Sequence, residues 1–234
     1  GLIPSAMASG EAVLNDDEKE IGAVIMDMGG GTTDVALFRK GALAHAFVIP
    51  VGGDHIDSDV AIGLSTSPAE ARRIKVKHGN ADPALDQDAQ PVELRLVGRE
   101  DVSQVPQSLL TEIIHPRVQE VFELAQAQLE AKENMVTIPA GVVLTGGASR
   151  LPGLPRVAED VLRTHIRIGA PRGVRTHHEK IAGPEFATGV GLLRCAAMRP
   201  GALPQERRLS AWQRLLQPVQ RLLRGFVKDI QPGR

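Results

Sequence analysis

The chain has 234 residues, which is enough for one large domain or two modest ones with a sizeable core. Hydrophobic residues make up 42% and charged residues 24%, a composition that is typical of soluble globular proteins and excludes a disordered, fibrous or integral membrane protein. The single cysteine, Cys195, excludes an internal disulfide and a cysteine-rich metal site, and it fits a reducing compartment.

The net charge of −1 hides an uneven distribution. Residues 205–234 hold seven Lys and Arg residues and two acids, a net charge of +5, so the rest of the chain carries −6. An acidic body has no attraction for nucleic acid, and only the C-terminal tail is a cationic surface. The first residues lack a basic stretch followed by a long apolar run, so no signal peptide is expected.

In chain order, the first predicted elements are three strands that form a meander. Residues 21–28 are a short apolar run, and residues 34–52 add two β-rich segments separated by a turn at Lys40-Gly41.

Two helices are predicted next, over residues 54–65 and 67–79. In the second helix, Ser67 is the N-cap before Pro68, and Gly79 ends it.

The following segment is predicted as a loop over 80–90, a strand over 92–98 and a helix over 108–133 that is kinked or restarted at Pro116. A buried strand, a glycine turn and a helix come after it, and then another short helix rich in small residues. This order indicates an α/β domain that is split by a smaller insertion over about residues 62–138.

The stretch DMGGGTTD, residues 27–34, follows the first predicted strand. Consecutive glycines allow backbone amides to converge on an anion, because no Cβ restricts φ or blocks a close approach. Thr32 and Thr33 could add hydroxyl donors, and Asp27 would need Mg²⁺ or its water shell between itself and a phosphate. The pattern favours a nucleotide-triphosphate site, and a plain hairpin with a glycine-rich turn is the open alternative.

The stretch VLTGGASR, residues 143–150, follows a buried strand and is predicted to open a helix. Gly146 and Gly147 would let a planar base or its phosphates approach the backbone there. Turns of this kind are common, so an ordinary turn is the open alternative. The stretch is neither a Walker P-loop nor a GxGxxG motif, because no lysine follows the glycines and the spacing differs.

Together, the two glycine stretches resemble the phosphate-2 and adenosine motifs of the actin-like ATPase superfamily. They lie about 115 residues apart with a small subdomain between them. The segments DMGGGTTDVALFRKGAL, VIPVGGDHIDSDVAIGL, IKVKHG and GVVLTGGASRLPGL most resemble the FtsA family of bacterial cell-division proteins, over about residues 4–196. The resemblance implies an α/β fold with an actin/ribonuclease H-like domain (subdomain 2A), an inserted smaller α+β subdomain (2B) and a C-terminal amphipathic helix.

By this resemblance, subdomain 2A comprises residues 1–61 and 139–198, subdomain 2B residues 62–138, a linker residues 199–210 and the helix residues 211–230. These parts correspond to the family's C-terminal half. The first phosphate loop, the acid that positions the catalytic water and subdomain 1C would precede them. Weak or no ATPase activity is therefore expected from this half alone, and no catalytic residue is assigned.

The resemblance also implies the residues that bind ATP and Mg²⁺. Asp27 would hold Mg²⁺ through water, and the glycine hairpin would contact the β- and γ-phosphates. Lys75 would reach the ribose and base, whereas Arg72 stands where relatives carry a Glu. The implied nucleotide-binding residues are Asp27, Gly29, Gly30, Gly31, Thr32, Thr33, Lys75, Gly146, Gly147 and Ala148.

In the FtsA family, subdomain 2B docks the C-terminal peptide of the tubulin-like protein FtsZ, which carries acidic and apolar residues. Arg117 matches a family arginine on that surface and would pair with a carboxylate. An ordinary solvated helix arginine is the open alternative. The resemblance further implies self-association into filaments and contacts with other divisome proteins at the septum.

The tail over residues 211–230 is amphipathic. On a wheel of about 100° per residue, its apolar residues fall within about 80° of Trp212 and its bases lie on the opposite side. A terminal helix of this kind favours binding in a membrane interface with anionic lipid, and packing on the protein body is the alternative. The apolar face holds Trp212, Leu215, Leu216, Val219, Leu222, Leu223, Phe226, Val227 and Ile230, and the basic face holds Arg214, Arg221, Arg224 and Lys228.

The leading interpretation is an actin-like, ATP-binding membrane tether that anchors FtsZ at the cytoplasmic face of the plasma membrane. The alternative is another actin-fold ATPase, such as an MreB- or PilM-like scaffold or a chaperone- or kinase-type enzyme. No candidate substrate base adjoins the glycine motifs, and a terminal basic helix has no role in a sugar kinase. Both observations favour the tether.

Overall fold

The computed structural model describes residues 2–86, 90–99, 101–132, 138–173 and 179–198. The strands are β1 (Ala23–Met28), β2 (Thr33–Arg39), β3 (Ala42–Ile49), β4 (Val92–Arg95), β5 (Val102–Val105), β6 (Val142–Thr145) and β7 (Ile166–Ile168). The helices are α1 (Ser5–Val13), α2 (Asp16–Ile21), α3 (Gly53–Gly63), α4 (Pro68–His78), α5 (Gln107–Lys132), α6 (Leu154–Leu162) and α7 (Ala187–Met198). By its internal contacts the chain divides into two compact units, Gly1–Cys195 and Ala196–Arg234.

Five strands form one mixed sheet in the order β3-β2-β1-β6-β7. β1, β2 and β3 pair antiparallel, which confirms the predicted meander, whereas β6 and β7 run parallel to β1. The sequence pattern does not predict β7, because a strand of three residues is too short to show an alternation.

The central strand β1 is buried along its whole length because helices cover both faces of the sheet. Val24, Met26 and Met28 belong to the hydrophobic cluster on one face, and Ala23 and Ile25 belong to the cluster on the other. Helices α3, α4, α5 and α6 contribute buried residues to the first cluster, and α1 and α7 contribute to the second.

The larger hydrophobic cluster continues into the region predicted as an insertion. Ile74 of α4, Val92 of β4 and Leu110 of α5 belong to the same cluster as the sheet residues. The core therefore has no break at the proposed subdomain boundaries, and the division at residues 62 and 138 stays a prediction.

Helices α1 and α7 lie on the second face of the sheet and approach each other closely. A Cβ on Gly191 of α7 would lie 1.7 Å from the carbonyl oxygen of Ala8 in α1. Arg194 Nη1 donates to the carbonyls of Glu11 and Ala12, at 2.8 and 3.2 Å, and so satisfies the C-terminal end of α1. Neither α1 nor α2 was predicted from the sequence, although Asn15 and Glu18 form a capping box at the start of α2.

Helix α4 begins and ends where the sequence predicts. Ser67 Oγ accepts a hydrogen bond from the amide of Glu70 at 3.2 Å, Pro68 is the first helical residue, and Gly79 follows the last turn.

Helix α5 corrects the prediction of a restart at Pro116. One continuous helix runs through the proline, and Ile114, Val118 and Phe122 are buried along one side of it. Packing on the core offsets the hydrogen bond that the proline removes, a cost of about 3 kcal/mol in a helix interior.

β4 and β5 form a separate antiparallel hairpin. β4 ends at Arg95, earlier than the predicted strand, and β5 is not predicted because only four residues form it. Among the helices within the described ranges, none combines the length and the apolar character that crossing a bilayer requires.

Candidate functional site

The glycine hairpin joins β1 to β2. The amide of Gly29 donates to the carbonyl of Thr32 at 2.9 Å and closes the turn. Gly30 and Gly31 are exposed, and their amides make no hydrogen bond to any residue that the structure describes. Two adjacent free backbone donors are available to an anion at this point.

The N-terminus of α3 packs directly on the hairpin. The amide of Gly53 donates to the carbonyl of Gly29 at 2.9 Å, and the amide of Asp54 donates to the carbonyl of Gly30 at 2.8 Å. A Cβ on Gly52 would lie 2.4 Å from the carbonyl oxygen of Gly30, so the approach requires glycine. The shape of the hairpin therefore depends on α3.

The two threonines of the first motif have different environments. Thr33 is buried, and its hydroxyl donates to the carbonyl of Val51 at 2.9 Å. Thr32 is exposed, and its hydroxyl donates to Asp34 Oδ2 at 3.2 Å. Thr32 is thus accessible to a ligand, whereas Thr33 serves the packing of β2.

Asp27 lies at the end of β1, 8% exposed. Its Oδ2 accepts hydrogen bonds from the hydroxyls of Ser9 in α1 and Thr188 in α7, the second at 2.6 Å. The other oxygen lies beside the second glycine motif, because a Cβ on Gly146 would be 2.4 Å from it. Sequence reasoning missed Ser9 and Thr188, since neither belongs to a motif and each lies far from Asp27 along the chain.

The second glycine motif follows β6. Gly146 has a positive φ of 86°, and a Cβ there would also meet the carbonyl oxygen of Met28 at 2.6 Å. Only glycine fits this crossing of β1 and β6. A short 3₁₀ turn over Gly147–Arg150 comes next, and α6 begins at Leu154, so the glycines do not open the α-helix directly as the sequence analysis predicted.

The two glycine motifs line one cleft of about 590 Å³. Gly29 and Gly30 of the first motif, Gly147 and Ala148 of the second motif and Lys75 of α4 all line it. Of the predicted nucleotide residues, these five line the cleft and Asp27, Gly31, Thr32, Thr33 and Gly146 do not. Sequence reasoning missed the further lining residues Gly53, Asp54, Ile56, Val76, Arg150, Leu151, Pro152 and Glu185.

Lys75 is held by α3 inside this cleft. Its ammonium lies 2.6 Å from Asp57 Oδ1, as an ion pair, and donates to the carbonyl of Gly53 at 2.7 Å. The side chains of Lys75 and Asp57 are 14% and 9% exposed, so each buried charge needs the other to compensate for its loss of hydration. The pair ties α4 to the first turn of α3 and thereby to the glycine hairpin.

The rim of the cleft carries two more exposed ion pairs. Arg72 Nη1 lies 3.8 Å from Asp54 Oδ1, and Arg150 Nη1 lies 2.8 Å from Glu185 Oε1. Because both arginines are about two-thirds exposed, these pairs contribute little to stability and can reorganise around a ligand.

Arg117, the predicted partner residue, lies on α5 away from the cleft. Its guanidinium binds both carboxylate oxygens of Asp59, at 2.6 and 3.0 Å, and also donates to Glu120. The hydrogen bonds with Asp59 raise the pKa of Arg117 above its usual value, against the opposing effect of partial burial. Arg117 is therefore already paired with two acids.

No group of three or more His, Cys, Asp or Glu side chains within the described ranges is arranged to hold a metal ion directly. The predicted membrane residues, from Trp212 to Ile230, lie outside the described residues.

The architecture is that of actin-like proteins. MreB5 of Spiroplasma citri bound to ADP superimposes with a TM-score of 0.61 at 16% identity, over 81% of this chain and 56% of that chain. The MamK A278D mutant bound to AMPPNP superimposes with a TM-score of 0.56 at 18% identity, over 82% of this chain and 58% of that chain.

The sequence comparisons give the family within this class. The model of the family described as "Cell division protein FtsA" matches residues 24–191. The FtsA proteins of Pseudomonas aeruginosa and Escherichia coli K12 are both 38% identical, each over 82% of this chain and over 46% and 47% of their own lengths. The chain belongs to the FtsA family, and it spans about half the length of these relatives.

Lys75→Met is expected to destabilise the fold by about 3–5 kcal/mol, because it leaves the Asp57 carboxylate buried without a counter-charge. Urea unfolding of the variant measures this loss. The double variant K75M/D57N removes both charges, and it should recover more than half of the unfolding free energy that Lys75→Met loses. If the double variant instead loses the sum of the losses of the two single variants, the two charges do not stabilise each other and the prediction is wrong.

Proposed function

We propose that this chain forms the nucleotide-binding half of an actin-like cell-division protein. The observation that carries the proposal is the convergence of the two glycine motifs on one cleft. The lining includes Gly30, whose amide makes no hydrogen bond to a described residue, and the apolar residues Ile56, Val76 and Leu151. This pairing suits a nucleotide, whose phosphates need donors and whose base needs apolar contact.

The ligand of the proposed site is ATP. The structural neighbours support an adenine nucleotide, because MreB5 of Spiroplasma citri is bound to ADP in one structure and to AMPPNP in another, which superimposes with a TM-score of 0.62. In this chain the amides of Gly30 and Gly31 would bind the terminal phosphates, and Gly147 and Ala148 would border the adenosine. Lys75 would act mainly by holding Gly53 and α3 in place, since it already binds both.

Asp27 would hold Mg²⁺ through bridging water, since its carboxylate lies next to Gly146 and does not itself line the cleft. One carboxylate oxygen accepts two hydroxyl hydrogens, which keeps the group oriented, and the other faces the second glycine motif. When bound, the cation would neutralise the phosphates close to this buried acid. Ser9 and Thr188 would keep the Asp27 carboxylate in a fixed orientation while the cation is bound.

At the level of the whole protein, we propose a peripheral tether at the cytoplasmic face of the plasma membrane, at the division septum. The C-terminal helix would bind anionic lipid, the Arg117 surface would bind the C-terminal peptide of FtsZ, and the protein would self-associate into filaments with other divisome proteins. Membership of the FtsA family and the basic amphipathic pattern of residues 211–230 support this role.

Nucleotide binding can be tested with Gly147→Val. A Cβ at Gly147 has no neighbour closer than 3.9 Å, so the fold should accept the change while the valine occupies the cleft. We expect calorimetric titration with Mg-ATP to show a loss of affinity on the order of tenfold or more. Gly189→Val on α7 is the matched control, because a Cβ at Gly189 meets nothing within 4 Å. Equal affinities of the two variants would contradict the proposed site.

Membrane binding can be tested by co-sedimentation with vesicles that contain anionic phosphatidylglycerol. We expect the chain to pellet with these vesicles, less so with neutral phosphatidylcholine vesicles or at high salt, because basic residues contribute about 1 kcal/mol each near an anionic surface. Deletion of residues 207–234 should abolish pelleting, and equal pelleting of the deletion variant would contradict the proposed anchor.

A further inference from the structure

A charged cluster on the α3–α5 surface suggests how the proposed partner site is regulated, and the inference rests on that proposed site. The cluster consists of Asp59 on α3 and Arg117 and Glu120 on α5. The Nε and Nη2 atoms of Arg117 donate to the two oxygens of Asp59, and its Nη1 atom donates to Glu120. Asp59 thus occupies the planar fork that a partner carboxylate would use.

The cluster has an excess of negative charge. One guanidinium faces two carboxylates, so the net charge is −1 when all three groups are ionised. The net negative charge of the cluster therefore repels a partner carboxylate, although Arg117 alone would attract it. A partner acid can pair well with Arg117 only if Asp59 or Glu120 gives way.

The geometry permits such an exchange. The side chains of Arg117 and Asp59 are 29% and 26% exposed, and that of Glu120 is 45% exposed. A displaced carboxylate would return to water rather than remain buried without a partner, so its release is not prohibitive. The guanidinium also keeps two of its five N–H groups free of Asp59 and Glu120, which gives a partner a first point of contact.

An apolar residue lies next to this cluster. Ile62 follows Asp59 by one turn of α3 and is 80% exposed. The two helices meet at Gly63, where a Cβ would lie 2.7 Å from Cδ1 of Ile113 on α5. The surface therefore offers a cation and an apolar contact within a short distance, which fits a peptide with a carboxylate beside an apolar side chain.

We propose that Asp59 and Glu120 are internal competitors for the partner's carboxylate. They hold Arg117 in place in the free protein and leave it when an acidic peptide docks. The affinity of the surface is then set by this exchange, and weakening the internal pair strengthens partner binding.

The test is the affinity of a fluorescein-labelled peptide of the FtsZ C-terminus, measured by fluorescence anisotropy with the full chain. We expect Asp59→Asn to tighten binding about three- to tenfold, because it removes the competing charge and keeps the side-chain volume. Glu120→Gln should have a smaller effect in the same direction, and Arg117→Ala should weaken binding tenfold or more. In the double variant D59N/R117A, the gain should disappear.

Glu123→Gln is the matched control, since Glu123 is an exposed acid on the same helix that binds Gln119 rather than Arg117. A gain as large in this variant as in Asp59→Asn would overturn the inference, because general charge repulsion would then suffice. Weaker binding in Asp59→Asn would also overturn it, since Asp59 would then position Arg117 for the partner. Peptide binding that does not depend on Arg117 at all would instead remove the proposed partner site, and with it the inference.

Discussion

Two backbone hydrogen bonds organise the site. The amides of Gly53 and Asp54, at the start of α3, donate to the carbonyls of Gly29 and Gly30. These bonds use the carbonyl side of the glycine hairpin, so the amides of Gly30 and Gly31 remain available to an anion. Because Lys75 binds Gly53, the same contact connects the hairpin to α4, and the cleft forms between these elements and the second glycine motif.

Much of the fold could be predicted where a segment carries a local signal. The meander follows from alternating apolar residues, and α4 follows from Ser67, Pro68 and Gly79. The short strands β5 and β7 could not be predicted, because three or four residues show no reliable period. Pro116 predicted a kink or a restart of the helix, and the restart is absent because the buried side of α5 stabilises the helix more than the proline weakens it.

The site could be predicted in part for a similar reason. Both glycine stretches are visible in the sequence because several unusual residues are consecutive, and the structure brings them together. Ser9 and Thr188 contact Asp27 from distant helices, and a single hydroxyl residue gives no sequence signal of such a contact. The pairing of Lys75 with Asp57 and of Arg117 with Asp59 is likewise invisible until α3 is placed between α4 and α5.

We propose that α3 fixes the glycine hairpin in a shape that can bind phosphate before any ligand arrives. Amide hydrogen exchange, followed with and without Mg-ATP, tests this proposal. We expect the amides of Gly53 and Asp54 to exchange slowly in the free protein, and those of Gly30 and Gly31 to exchange quickly and to become protected only when Mg-ATP binds. Fast exchange at Gly53 and Asp54 without ligand, or unchanged exchange at Gly30 and Gly31 at saturating Mg-ATP, would contradict it.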